Sequence, residues 1–175
     1  MEYILEQLHY ENDVLYEHTN KIICGEVGNG MSKADEAIAL FEKNFNCCQA
    51  VLSVFSEELQ CDKELALKIA TGFGGGMRKA EVCGAVTGAV MVLGLKYGYY
   101  KEDDIETKSK AYEITREFMD KFQEKNKTVV CKELLGRDLS IKKEHDILEQ
   151  QGAFTNMCPV FIRDAIEILE MLIAE

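Results

Sequence analysis

Helix-start signals followed by apolar residues at helical spacing recur along this chain from Ser32 onward, and this pattern restricts the fold more than any other feature. Ser32, Asn46 and Asp62 are capping residues that each stand just before such a pattern. Helices are predicted over residues 32–44, 46–58, 62–70, 83–97, 102–125, 131–135, 140–150 and 159–173. The β-branched run at residues 128–130 is too short to build a sheet. The sequence therefore predicts an all-α protein.

The predicted helix over residues 83–97 is apolar on every side and rich in glycine and alanine. A helix without a polar face lies inside a fold, and small residues such as Gly84, Gly88 and Ala89 let neighbouring helices approach closely. A chain of 175 residues is about the size of one domain. We therefore expect residues 31–175 to form a single-domain helical bundle with this Gly/Ala-rich helix at its centre.

Residues 1–30 precede this predicted domain and carry a weaker helical pattern. Met31 stands directly before Ser32, and the codons possible for residues 25–27 include a purine-rich ribosome-binding sequence. We therefore hypothesise that translation begins at Met31 and that residues 1–30 are an extension outside the native protein. Mass spectrometry of the native protein tests this hypothesis, and peptides from residues 1–30 would contradict it.

Charge and the cysteine content restrict the partners and the compartment. The net charge of −11, with scattered lysines and arginines, disfavours nucleic acid and anionic membrane surfaces. The longest uncharged apolar run, residues 82–95, is shorter than the ~20 residues of a membrane span. Because no export signal is recognised, we expect a cytoplasmic protein whose seven cysteines are free, metal-bound or transiently oxidised.

Four cysteines share one predicted environment, the first turn of a helix: Cys47, Cys83, Cys131 and Cys158. Unpaired backbone N–H groups and the helix dipole stabilise a thiolate there, so we predict a lowered thiol pKa at each. Four thiols from four helices can converge inside a bundle to hold a metal or a cluster. The alternative interpretation is that each is a small buried hydrophobe, since the local Cys-x-x-Cys signature is absent from the sequence.

The glycine-rich segment at residues 72–76 is a predicted loop. Its spacing does not fit a nucleotide motif, so a tight turn is the simplest interpretation. The alternative is that Gly74, Gly75 and Gly76 present backbone N–H groups to an anionic thiolate or cluster and so bind the cofactor. Packing is predicted for Cys48, no role for Cys24 and Cys61, and surface positions for His9, His18 and His145.

Residues 41–52, 74–98 and 131–136, together with Cys158, resemble the C-GCAxxG-C-C family of redox-active proteins. The resemblance covers residues 31–172 and extends to the domain that holds a [2Fe–2S] cluster in split-Soret cytochromes. It implies a small helical domain whose four characteristic cysteines are redox-active or metal-binding. By position these are Cys47, Cys83, Cys131 and Cys158, although Cys83 precedes Gly84 where the family motif has Gly-Cys.

Three functions stay open at this point. In the first, the four cysteines hold an iron–sulfur cluster, [2Fe–2S], for electron transfer or redox sensing, and Zn²⁺ would use the same ligands. In the second, the protein is a thiol–disulfide oxidoreductase with Cys83 as nucleophile. In the third, it is a non-catalytic interaction domain. The partner expected for the first function is a redox protein, and the glycine-rich helix surfaces permit a homodimer.

Overall fold

The computed structural model describes residues 30–174, and helices account for the regular structure in that range apart from one isolated β-bridge between Val82 and Val130. Nine α-helices follow one another within these described residues: α1 Lys33–Glu42, α2 Cys47–Val54, α3 Lys63–Ala70, α4 Gly84–Tyr97, α5 Ile105–Asn126, α6 Cys131–Leu135, α7 Lys142–Gln150, α8 Ala153–Asn156 and α9 Cys158–Ala174. The predicted all-α fold is confirmed. Residues 1–29 of the predicted extension, with Cys24, His9 and His18, lie outside the described residues.

The predicted caps begin the first three helices. The Ser32 hydroxyl accepts a hydrogen bond from the Asp35 N–H at 3.1 Å, and the Asp62 carboxylate accepts one from the Leu65 N–H at 2.8 Å. Asn46 forms a reciprocal capping box with Gln49. These bonds fix where α1, α2 and α3 start, because each satisfies an N–H group that has no partner inside its helix.

Several helices are shorter than predicted, and at the end of α2 and the start of α7 side chains compete with the helical backbone. Helix α2 ends at Val54, since the Ser56 hydroxyl donates to the Ser53 carbonyl oxygen at 2.7 Å in the turn that follows. Helix α7 begins at Lys142, since the Asp138 carboxylate accepts hydrogen bonds from both the backbone and the hydroxyl of Ser140. The short helix α8 was not predicted.

Helix α4 lies at the centre of the bundle, as predicted, and packs against α2, α5 and α9. Its buried residues join one core with the fully buried Phe55, Phe118 and Phe122. A Cβ atom placed on Gly88 would lie 2.9 Å from the backbone oxygen of Cys48, so the backbones of α2 and α4 are in contact there. None of the helices between residues 30 and 174 combines the length and apolar character that a membrane crossing requires.

Replacing Gly88 with alanine is expected to lower the free energy of unfolding by about 1–3 kcal/mol, because the added methyl group overpacks the contact with Cys48. Gly94→Ala on the same helix is the matched control. A Cβ at Gly94 meets no atom within 4 Å, so this change is expected to raise stability by about 0.5–1 kcal/mol. Urea unfolding of both variants checks the opposite signs, and equal effects contradict the close contact.

Candidate functional site

A cavity of about 150 Å³ opens between the helix starts, and all four predicted cysteines line it. Cys47, Cys83 and Cys131 are buried and Cys158 is half-buried, and each is a free thiol. Phenylalanine and leucine side chains make up most of the remaining wall: Phe41, Leu134, Leu135, Leu139, Phe154 and Phe161. The structure therefore brings together the four thiols that the sequence singled out, while their role as metal ligands stays a prediction.

Each of these cysteines stands at the start of a helix. Cys47, Cys131 and Cys158 are the first residues of α2, α6 and α9, and Cys83 is the residue before α4. Helices α2, α4 and α9 pack against one another in the core. Their amino ends consequently present thiols to one common space.

Backbone hydrogen bonds fix two of the cysteines next to each other. The Cys83 N–H donates to the Val129 carbonyl oxygen at 2.8 Å, and the Cys131 N–H donates to the Glu81 carbonyl oxygen at 2.6 Å. These bonds flank the isolated β-bridge and run between antiparallel segments. The relative position of Cys83 and Cys131 is thus set by the main chain and needs no metal.

The glycine-rich segment forms one wall of the site. Burial raises the pKa of the Cys47 thiol, and hydrogen bonding from the N–H groups of Gly75, Cys47 and Cys48 acts in the opposite direction. A Cβ on Gly74 would lie 2.3 Å from the Cβ of Asn46. A Cβ on Gly76 would lie 3.0 Å from the Cβ of Cys131. All three glycines therefore allow close approach to cysteine-bearing segments, and their contact with a cofactor stays a prediction.

The prediction that the helix termini lower the thiol pKa is wrong for the metal-free protein. Burial raises the pKa of Cys47 and Cys83, and it raises the pKa of Cys131 to about 12. Burial also raises the pKa of Cys158, and repulsion from neighbouring thiolates adds to the effect. The N–H groups near Cys47 and the charge of Arg78 act in the opposite direction but do not overcome desolvation. The four groups are neutral thiols at neutral pH.

Spacing of the sulfur atoms bears on which metal group the site fits. Among the described residues, no cysteine belongs to a set of three ligand atoms that all lie within 4.8 Å of one another. Tetrahedral zinc with bonds of about 2.3 Å brings its sulfur ligands to about 3.8 Å from each other. A two-iron cluster instead divides four cysteines into two pairs and tolerates a wider arrangement. The four thiols supply the ligand type of either group, and no three of their sulfurs lie close enough together to form a ready-made zinc site.

His145 is partly exposed, in agreement with its predicted surface position, and it also lines the cavity, which was not predicted. Its ring centroid lies 5.0 Å from that of Phe154, and its side chain keeps 42% of its exposure. The sequence signal was hidden because α7 carries charged neighbours on both sides of His145. Arg78 also lines the cavity and was not predicted.

The remaining described cysteines lie elsewhere. Cys48 is buried and its thiol donates to the Met91 sulfur at 3.8 Å, which confirms the predicted packing role. The thiol of Cys61 donates to the carbonyl oxygen of Asp62, and Cys61 does not line the cavity. Cys61 is therefore a useful control for substitutions of the four lining thiols.

The fold and the cavity define a class: small all-α proteins with a cysteine-lined site at the amino ends of their helices. The family described as "Putative redox-active protein (C_GCAxxG_C_C)" matches residues 45–172, a range that contains all four lining cysteines. The chain belongs to this family of redox-active proteins. Comparisons with curated proteins and with solved structures gave no match.

Proposed function

We propose that this protein is an electron-transfer or redox-sensing protein that holds a [2Fe–2S] cluster through Cys47, Cys83, Cys131 and Cys158. The observation that carries the proposal is the convergence of four free thiols, from four separate helix starts, on one cavity. Membership of a family of redox-active proteins supports it. When bound, such a cluster supplies a one-electron couple held by four cysteine thiolates.

The protein's own groups have two tasks in this function. The Gly75 N–H near the Cys47 sulfur and the Ala85 N–H near the Cys83 sulfur are hydrogen-bond donors, which favour negative charge on those sulfurs. The apolar wall around the cavity restricts water, and a low-polarity surrounding strengthens each of these electrostatic effects. Donors and wall together would set the reduction potential.

Two observations favour a cluster over the alternatives. No three of the four cysteine sulfurs lie within 4.8 Å of one another, as a ready-made zinc site would require. A thiol–disulfide enzyme needs an accessible thiolate, whereas Cys83 is 4% exposed and burial raises its thiol pKa well above the usual value. A metal ion displaces the thiol protons when it binds. The raised pKa values of the buried thiols are therefore compatible with metal ligation.

The test is the iron and acid-labile sulfide content, with a visible spectrum, of the protein purified without oxygen. We expect iron and sulfide in equal amounts in the wild type, their loss in Cys131→Ser, and full retention in the control Cys61→Ser. Zinc without sulfide would instead favour a structural metal. Metal-free protein with a titratable thiol pair would favour disulfide chemistry, and metal-free protein without such a pair would leave an interaction domain.

A further inference from the structure

Four consecutive residues beside the cavity adopt the left-handed backbone conformation. The φ angles are 61° at Gly75, 62° at Gly76, 54° at Met77 and 60° at Arg78. Glycine adopts this conformation freely, but Met77 and Arg78 do not, because their Cβ atoms crowd the backbone. Strain of this kind persists where the surrounding structure enforces it, and it is concentrated at functional sites. The surrounding structure, and not local backbone preference, therefore holds the turn over residues 75–78 in place.

The turn directs Arg78 to the cavity. The guanidinium Nη1 lies 3.7 Å from the point that a Cβ on Gly75 would occupy, so the side chain folds back over Gly75. Gly75 is also the residue whose N–H approaches the Cys47 sulfur. Arg78 lines the cavity and its positive charge acts on Cys47. One strained turn thus supplies both an N–H donor and a cation to the same thiol.

Arg78 brings to the cavity a positive charge without a carboxylate partner among the described residues. Within residues 30–174, no carboxylate oxygen lies within 4.0 Å of its side-chain nitrogens, although the chain has a net charge of −11. Of the described residues that line the cavity, Arg78 alone carries a permanent charge. The nearby Lys132 is paired with Glu81 and Arg137 with Glu144. A cation left unpaired at a cavity of thiols is available to offset negative charge there.

We propose that the left-handed turn over residues 75–78 holds Arg78 over the cysteine cavity as the cation that offsets the negative charge of the thiolates and their cluster, and so raises the reduction potential. This role of Arg78 rests on the proposed function, because Arg78 sets the reduction potential of the proposed cluster. One-electron reduction by an external donor adds one negative charge inside the cavity. The Arg78 charge stabilises that added charge, so the reduced state is the one that loses most when Arg78 is neutralised.

The first experiment is a redox titration of the cluster-containing protein with dithionite, followed by its visible spectrum. At a fixed solution potential, Arg78→Gln is expected to raise the oxidised-to-reduced ratio about ten-fold, which is a midpoint about 59 mV lower for a one-electron couple. Arg78→Lys keeps the charge and is expected to recover most of the shift. The matched control is Lys79→Gln, an exposed neighbouring cation that does not line the cavity. Equal midpoints in the Arg78→Gln and Lys79→Gln variants overturn the proposal.

The second experiment uses the metal-free protein and measures the alkylation of Cys158 by iodoacetate, an anion, and by iodoacetamide, which is neutral. The same thiolate attacks the CH2 carbon of both reagents and displaces iodide, so the ratio of the two rates reports the electrostatic potential at the thiol. We expect the native ratio to exceed that of the urea-unfolded chain several-fold, and Arg78→Gln to abolish the excess while Lys79→Gln keeps it. A native ratio equal to the unfolded one overturns the proposal.

The two experiments distinguish a failure of the role assigned to Arg78 from a failure of the proposed cluster function. If the purified protein holds no cluster but the alkylation ratio still depends on Arg78, the cavity charge assigned to Arg78 stands and the proposed cluster function fails. If a cluster is present and neither its midpoint nor the ratio responds to Arg78, the cluster function stands and the role of Arg78 is overturned.

Discussion

Raising the pH from about 8 to about 10.5 is expected to remove several kcal/mol from the free energy of unfolding of the metal-free protein. Five described cysteines have thiol pKa values raised by burial, among them Cys48 to about 11 and Cys131 to about 12. In the unfolded chain a thiol ionises near pH 9. Between these values the unfolded state binds fewer protons than the folded state, so stability falls as pH rises. Each thiol contributes up to about 1.4 kcal/mol per pH unit.

Urea unfolding under reducing conditions at several pH values measures this effect, and the slope against pH isolates the thiols. The double variant Cys83→Ala/Cys131→Ala is expected to show a shallower slope, whatever its stability at neutral pH. Lysines and tyrosines also titrate at high pH, but they are common to both proteins and cancel in the comparison. Parallel slopes would mean that these thiols ionise in the folded protein as easily as in the unfolded chain.

Loading the cysteine site is expected to raise the midpoint of thermal unfolding by about 10 °C or more at neutral pH. A group that binds only the folded state stabilises it, by about 4 kcal/mol when its concentration is 1,000 times the dissociation constant. For a chain of this size each kcal/mol raises the midpoint by about 2–4 °C. The measurement is thermal unfolding, followed by circular dichroism, of protein treated anaerobically with iron and sulfide and of untreated protein.

Two serine variants control this experiment. Cys61→Ser keeps all four lining thiols and is expected to gain as much as the wild type. Cys131→Ser removes one of them and is expected to gain little. An equal gain in both variants would show that the stabilising group binds somewhere other than the cavity.

The sequence was sufficient for most of the fold because its local signals agree with the packing. The caps at Ser32, Asn46 and Asp62 give the starts of three helices, and the apolar Gly/Ala-rich pattern identifies α4 as the central helix. The ends of α1 and α2 and the starts of α5 and α7 were missed by a few residues. At the end of α2 and the start of α7, side-chain hydrogen bonds of serine and aspartate stabilise turns, and the spacing of hydrophobic residues gives no sign of such bonds.

The site was only partly predictable. Helix-start position was enough to select the four lining cysteines, but whether they converge depends on how α2, α4, α6 and α9 are arranged in space. The predicted lowering of the thiol pKa was wrong. A helix start can be recognised in the sequence, but the burial that outweighs the helix dipole cannot. Arg78 was missed because its left-handed backbone, which brings it to the cavity, has no signature in a non-glycine residue.

The short β-bridge that joins the segments before α4 and α6 has a consequence for the order in which this protein matures. The chain between Cys83 and Cys131 contains both α4 and α5, so the two thiols become neighbours only after this helical pair has formed. This order differs from that of small domains that fold around zinc, whose ligands the metal gathers. Under the proposed function, a cluster would therefore be inserted into a protein that has already folded and whose four thiols are protonated.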